Sequence, residues 1–198
     1  MRTNGNGRGG RPARLTIKVP EHMVALWETR NREILKLGDP ALRVTARPVG
    51  RPDAETRTLV ERMKAAMKDD HGMGLAAPQL GVDRRVIIYR LPEDGAPLRV
   101  IVDPRIISAK GEQTGTEGCL SLPFLHGDVT RAYEIMVKGT DMLGRSFRRR
   151  ASDLEARVIQ HEVDHLDGIL FIDRADPATL HWSVPEDVSL AQQPAPTA

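Results

Sequence analysis

A chain of 198 residues, 40% of them hydrophobic, is long enough for one domain with its own core and short for two. Aromatic residues make up only 4%, so Leu, Ile, Val, Met and Ala must fill that core. The charge of +2 argues against a nucleic-acid-binding body: residues 1–20 carry Arg2, Arg8, Arg11, Arg14 and Lys18 with no acid, and the other 24 basic and 27 acidic residues leave −3.

In chain order, residues 1–20 are rich in Gly, Arg and Asn, lack apolar periodicity, and read as a disordered basic arm, in preference to an organelle transit peptide. Residues 21–35 carry Met23, Leu26, Trp27, Ile34 and Leu35 and predict a modestly amphipathic helix. Turns follow at Gly38-Asp39-Pro40 and again at residues 49–53. Leu59, Val60, Met63, Ala66 and Met67 predict a helix over 54–70, ended by residues 71–74. Strands are expected at 86–90 and 98–103, with a turn at 92–95 between them and a separate short run from Pro104 through Ile107. A hairpin is expected from 133–139 through 141–144 into 145–150. Ser152 and Glu155 read as a capping box opening a helix to about Leu166, with Gly168 near its C-terminal cap. Residues 183–198 read as a disordered tail, which leaves 21–182 as a single catalytic domain. Strands first and a late helix predict an α+β fold, with antiparallel or mixed sheets packed around that helix. No apolar run approaches the roughly 18–20 residues a membrane span needs.

The late helix carries His161-Glu162-Val163-Asp164-His165. At 3.6 residues per turn, Leu154, Val158, His161 and His165 share one face, with Glu162 at its flank. Imidazoles at i and i+4 can bind one divalent ion, and Glu162 can then carry a proton without being a ligand. Ile159, Val163 and Leu166 lie on another side and bury the helix, and unpaired imidazoles in a core are costly. A surface helix carrying the pattern by chance is the bland alternative. A third ligand downstream would be a His at 171, where Phe171 stands, or Glu186 in the tail. The better candidate is upstream: Cys119, the one cysteine, follows Gly118 in Glu117-Gly118-Cys119-Leu120-Ser121. A lone cysteine is most often a small buried hydrophobe, but Gly118 before it allows close backbone approach, which favours the ligand role here. A thiolate with two imidazoles suits zinc or ferrous iron and leaves a fourth position open. With no second cysteine to pair with, nothing in the chain requires an oxidising compartment. A second unusual stretch is Gly72-Met73-Gly74-Leu75-Ala76-Ala77-Pro78-Gln79. It lacks the Lys-Ser/Thr of a phosphate loop. It is either a helix-ending turn with a surface glutamine or a close backbone approach, with the Gln79 amide aimed at a developing oxyanion.

Together, 72–79, 117–121 and Gln160-His161-Glu162-Val163-Asp164-His165-Leu166 closely resemble the three motifs of peptide deformylases, in register. The similarity runs over about residues 33–175 and includes 38–43 and 168–174. The resemblance implies a metal hydrolase that removes the formyl group from the N-terminal formyl-methionine of nascent bacterial proteins and releases formate. It implies that Cys119, His161 and His165 hold one divalent metal, ferrous iron by expectation, with zinc or nickel accepted. It makes Glu162 the proton carrier, and Gln79 with the backbone N–H of Leu120 the oxyanion donors. The glycine motif (Met73, Gly74, Leu75) and Gly118 would bind the peptide backbone, while Leu154 and Val158 would wall the methionine pocket. Arg131 matches a family arginine near the peptide site, with a surface ion pair as its alternative. Asp167 stands where Asn is common, a departure outside the chemistry. The expected partners are N-formylmethionyl nascent peptides in the cytoplasm, with a transient ribosome contact as a further option and neither DNA nor membrane. The basic arm either touches ribosomal RNA or is solvated, and solvation is the favoured reading. Two rival readings are a zinc endopeptidase, which lacks a downstream third ligand, and a silent ribosome-docking protein, against which the intact Glu162, Gln79 and Cys119 argue.

Overall fold

The computed structural model describes residues 17–68 and 72–183. Three α-helices lie among them: α1 (Val24–Thr29), α2 (Ala54–Lys68) and α3 (Asp153–Leu166). The strands are β1 (Gly74–Ala76), β2 (Val86–Tyr89), β3 (Arg99–Lys110), β4 (Gln113–Cys119), β5 (Leu122–Arg131), β6 (Glu134–Thr140), β7 (Ser146–Ser152) and β8 (His181–Trp182). They pair antiparallel in a five-stranded sheet of order β1-β2-β3-β6-β7 and a three-stranded sheet of order β4-β5-β8. The expected α+β class is the one observed.

Alternation along the strands divides the core. Ile87, Tyr89, Ile101, Ile135, Val137 and Ala151 face one side of the large sheet and meet Ala156, Val158, Ile159, Val163 and Leu166 of α3. Leu75, Val86, Ile88 and Val102 face the other side and meet Leu59, Val60, Met63 and Met67 of α2. A third cluster joins Leu122, Leu125 and Val129 of β5 to Trp27, Leu42 and the segment Leu170–Ile172 after α3. Burying a side chain such as Ile159 stabilises the fold by about 1.5–3 kcal/mol, so α3 is anchored mainly by its apolar side. That leaves its other face to carry the histidines.

Several expectations are corrected. The helix expected over 21–35 is a short 3-10 turn at Glu21–Met23 followed by α1 alone. Asn31 takes a positive φ of 34° and donates from Nδ2 to the Ala66 carbonyl, which ties the segment to α2 instead of extending the helix. Pro104 does not start a new run: β3 is continuous, with register shifts on either side of Arg105-Ile106. Asp103, at φ 51°, uses its carboxylate to accept from Val49 N and Gly50 N at that irregularity. Ser152 is the N-cap of α3, but its side chain makes no capping bond. Glu155 is engaged elsewhere, accepting from Tyr89 Oη (2.8 Å) and Arg149 Nη2 (2.7 Å). Strands β4 and β5 are additions to the expected elements. The first holds no apolar residue before Cys119, and the inward positions of the second include Gly127 and Arg131, so hydropathy does not display the alternation that their burial follows. Of the two tails, residues 1–16 and 184–198 lie outside the described residues, as do 69–71 at the end of the α2 expectation. Ile17 and Val19 pack partly buried against the third cluster.

Candidate metal centre

Cys119 ends β4, and a two-residue turn, Leu120-Ser121, leads into β5. His161 and His165 stand one turn apart on α3, their rings 5.0 Å apart at 72°. One ligand atom from each of Cys119, His161 and His165 lies within 4.8 Å of the others, and Cys119 Sγ is 3.2 Å from His165 Nε2. One thiol and two imidazoles on rigid elements make a donor set suited to iron or zinc, and no carboxylate intrudes among them. Because His161 Nδ1 is already spent on Glu117 Oε2 at 2.9 Å, its Nε2 is the nitrogen left for an ion. The three residues therefore could hold one divalent ion.

A cavity of about 590 Å³ opens over this cluster. Its lining includes Met73, Gly74, Gln79, Gly118, Cys119, Leu120, Leu154, Val158, His161 and Glu162. His165 lies beneath it, 1% exposed. Leu75, like the rest of the glycine motif, is expected to offer its backbone to the peptide. Its side chain is fully buried in the α2 cluster and lines no part of the cavity, so only its backbone could meet a peptide. The alternation of β1 turns Leu75 away because both its neighbours face the other side. Gly74 faces Glu162 so closely that a Cβ there would overlap the carboxylate. A Cβ on Gly118 would come within 2.9 Å of the His126 ring. Both glycines are therefore dictated by close approach.

Gln79 is not a surface glutamine. It is buried, with Oε1 accepting from Ala76 N at 2.8 Å, which orients its amide and sends Nε2 toward Ser121 Oγ (3.2 Å) and Cys119 Sγ (3.6 Å). Glu162 is also buried, its Oε2 without a partner among the described residues. Burial pushes the Glu162 carboxyl up to about 7, against the lowering by His161 and Arg131. The two histidines shift in opposite directions. Burial works against the charged form of His161, but hydrogen bonds to Cys119 and Glu117 overcome it and carry the value well above the ordinary histidine range. Burial, and then the neighbouring His161, hold His165 well below that range.

Behind His161 lies a set of charges whose role sequence reasoning misses. Burial raises the Glu117 carboxyl, but hydrogen bonds from Arg131 and His161 outweigh it and hold it well below the usual carboxylate range. Arg131 donates to Glu117 from Nε and Nη2, and to Asp164 from Nη1. Arg157 donates to Glu117 Oε1 at 2.7 Å. Arg131 thus does not line the cavity itself but bonds Glu117, which does, and it is not in a surface ion pair: its side chain is 3% exposed between β5 and α3. A signal exists in the sequence, because Arg157, His161 and Asp164 are spaced four and three apart and share a helix face. Asp167 accepts from Arg85 Nη1 at 2.6 Å, away from the cavity. Phe171, at the position where a protease would carry a third His, stacks beside His161 with ring centroids 6.4 Å apart.

The model of the polypeptide deformylase family matches residues 31–180. A peptide deformylase of Thermomicrobium roseum is 42% identical over 168 residues, covering 81% of this chain and 96% of the relative. The crystal structure of a peptide deformylase from Legionella pneumophila superposes with a TM-score of 0.69 at 41% identity, covering 73% of this chain and 86% of the other. That of a peptide deformylase from Synechococcus elongatus, in complex with actinonin, gives 0.70 at 40%, covering 73% and 80%. With a family model spanning most of its length and relatives this similar, the chain belongs to the peptide deformylases, metal-dependent hydrolases that remove the formyl group from the N-terminal formyl-methionine of new proteins.

Proposed function

We propose that Cys119, His161 and His165 hold a single ferrous ion, with zinc or nickel as working substitutes, and that the cavity above them is the formyl-methionine site. The observation that carries this reading is the convergence of three ligand atoms within 4.8 Å under a cavity that also receives the unpartnered Glu162 Oε2. When bound, such an ion supplies Lewis acidity, polarising the formyl carbonyl and making water nucleophilic at neutral pH.

The chain's own residues supply the rest. Glu162 takes the proton of the attacking water and delivers it to the leaving nitrogen. A carboxyl pushed up to about 7 suits both acts, because base and acid forms are both available near neutrality. Gln79 Nε2 and the Leu120 N–H donate to the oxygen on which charge develops. The bond from Ala76 N to Gln79 Oε1 fixes the amide before substrate arrives. Val158 and Leu154, one and two turns before the histidines, wall the slot for the methionine side chain. Met73, Gly74, Leu75 and Gly118 offer backbone to the peptide, and the bare Gly74 lets that backbone pass close to Glu162.

The catalytic unit comprises residues 21–182, with Ile17 and Val19 as its outer packing. The family match beginning at residue 31 supports treating the basic arm as dispensable for chemistry. Formylated nascent chains as substrate put the reaction in the cytoplasm, beside the ribosome in passing. Among the described residues, no helix is long and apolar enough to cross a membrane.

The test is anaerobic purification, metal analysis, and an assay of formate release from formyl-Met-Ala. The expected result is about one iron per chain and turnover that zinc or nickel partly restores after chelation. No formate with ferrous iron restored would sink the reading. Removal of residues 1–16 should leave dipeptide turnover unchanged.

A further inference from the structure

The charges behind His161 form one line that reaches solvent. Arg174, with a side chain 45% exposed, donates to Asp164 from Nε and Nη2 at 2.6 and 2.7 Å. Asp164 Oδ2 also accepts from Arg131 Nη1 at 2.7 Å. Arg131 turns its other two donors on Glu117, Nε to Oε1 at 2.6 Å and Nη2 to Oε2 at 2.8 Å. Glu117 Oε2 then meets His161 Nδ1 at 2.9 Å. The rigid fork of Arg131 is therefore shared between two carboxylates, a geometry an ammonium group cannot copy.

Stability is a weak explanation for this line, because well-packed apolar residues usually do as well as buried ion pairs. The line does something apolar residues cannot. An ionised carboxylate only accepts hydrogen bonds, so Glu117 keeps a proton on His161 Nδ1 and makes Nε2 the nitrogen that gives up its proton when an ion binds. Which way Glu117 faces is set by the two-point grip of Arg131. Asp164 fixes Arg131 in turn, and Arg174 fixes Asp164. Arg157 touches Oε1 of Glu117 and otherwise the carbonyls of Gln113, Gly115 and Val129, so it braces β4 and β5 without steering the oxygen that meets His161.

We infer that Arg131, Asp164 and Arg174 are positioning residues for the metal centre, acting through Glu117 to hold the His161 ring with Nε2 toward the ion. The inference rests on the reading of His161 as a ligand. Loss of a supporting partner of a metal-bound histidine typically weakens metal binding by about 10–100-fold. The effect should be graded along the line, largest at Arg131, smaller at Asp164 and a few-fold at Arg174.

The experiment compares Arg131→Lys, Asp164→Asn and Arg174→Gln with Arg85→Lys. Arg85 is also a buried arginine, and it bonds Asp167 and the carbonyls of Leu166 and Pro104, just past His165 and outside the line that runs from Arg174 to His161. Three quantities are read: the Tm of metal-free protein, the rate at which loaded zinc passes to excess chelator, and the visible spectrum of the cobalt-substituted form. The expected outcome is zinc release accelerated in the graded order, with a shifted cobalt spectrum in Arg131→Lys. Arg85→Lys should lower Tm without changing either metal readout. Release at the wild-type rate in Arg131→Lys and Asp164→Asn would overturn the inference, as would release rates that follow Tm across all four variants. If the buried variants do not fold, the half-exposed Arg174→Gln decides: faster release supports the line, and wild-type release overturns it. His161→Ala is run alongside, and unaltered zinc retention there would show that the ligand assignment itself had failed.

Discussion

The two imidazoles of the centre sit one turn apart on the same helix, yet different physics holds each. His161 is braced by charge: Nδ1 on Glu117, Glu117 on Arg131 and Arg157, Arg131 on Asp164. His165 is held by packing. It is 1% exposed, and its Nδ1 has no hydrogen-bond partner among the described residues. Their protonation preferences diverge accordingly, His161 above the ordinary range and His165 below it. The lesson is that i, i+4 spacing places two rings side by side but does not make them equivalent. What stands behind each ring decides its orientation and its charge.

The largest expected effect concerns the residue between them. Glu162→Gln should lower turnover by about 10²–10⁴-fold, the usual contribution of a positioned proton carrier, while metal content stays at the wild-type level. Loss of metal would make Glu162 a ligand and end the view that Cys119 and the two flanking histidines make up the protein's ligand set.

Next comes the charged side. Glu117→Ala takes from buried Arg131 two of its hydrogen bonds and from Arg157 its carboxylate, and should cost about 3–5 kcal/mol in the unfolding of metal-free protein by urea. A loss below about 1 kcal/mol would mean that the network is worth no more than a solvated ion pair and that the contrast with His165 is false.

The histidines themselves give a smaller but sharper comparison. His161→Leu removes a donor from buried Glu117 and should destabilise metal-free protein by about 1–3 kcal/mol. His165→Leu removes an unpartnered Nδ1 and, at Nε2, only a weak bond with the Cys119 sulfur, and should change stability by less than about 1 kcal/mol. Both should abolish metal binding, measured by metal analysis of the same samples. Equal destabilisation by the two would break the comparison.

The smallest effect is in pH. The folded-state value of Glu117 is depressed below the ordinary 4.5, so its stabilisation is complete above that value and fades as pH falls below it toward the folded value. Metal-free protein should therefore lose stability as it is acidified below about pH 4.5. Acid titrations followed by circular dichroism should show a weaker dependence in Glu117→Gln. An unchanged dependence would assign acid sensitivity to other carboxylates.

Much of the site is legible in the chain's local patterns. The proposed ligands on α3 follow from the helical period, and of the two readings open for the glycine motif the structure has the close approach, with Gly74 against Glu162. What misleads are contacts between distant segments. Arg131 reads as a substrate neighbour or a surface charge, because nothing near it in sequence reveals that β5 lies against α3. The capping box at Ser152 does not form because Glu155 is held by Tyr89 and Arg149.

By itself, then, the sequence determined local matters: which residues carry donor atoms and which helix face presents them. These depend on backbone period and side-chain chemistry within a few residues. Only the tertiary structure decided which carboxylate stands behind which histidine. Glu117 reaches His161 across 44 residues of chain, and Arg131 reaches Asp164 across 33. Those meetings depend on the register of β4 on β5 and on the docking of α3 against them. That is a balance of burial and hydrogen bonding spread over the whole domain, and no local pattern encodes it.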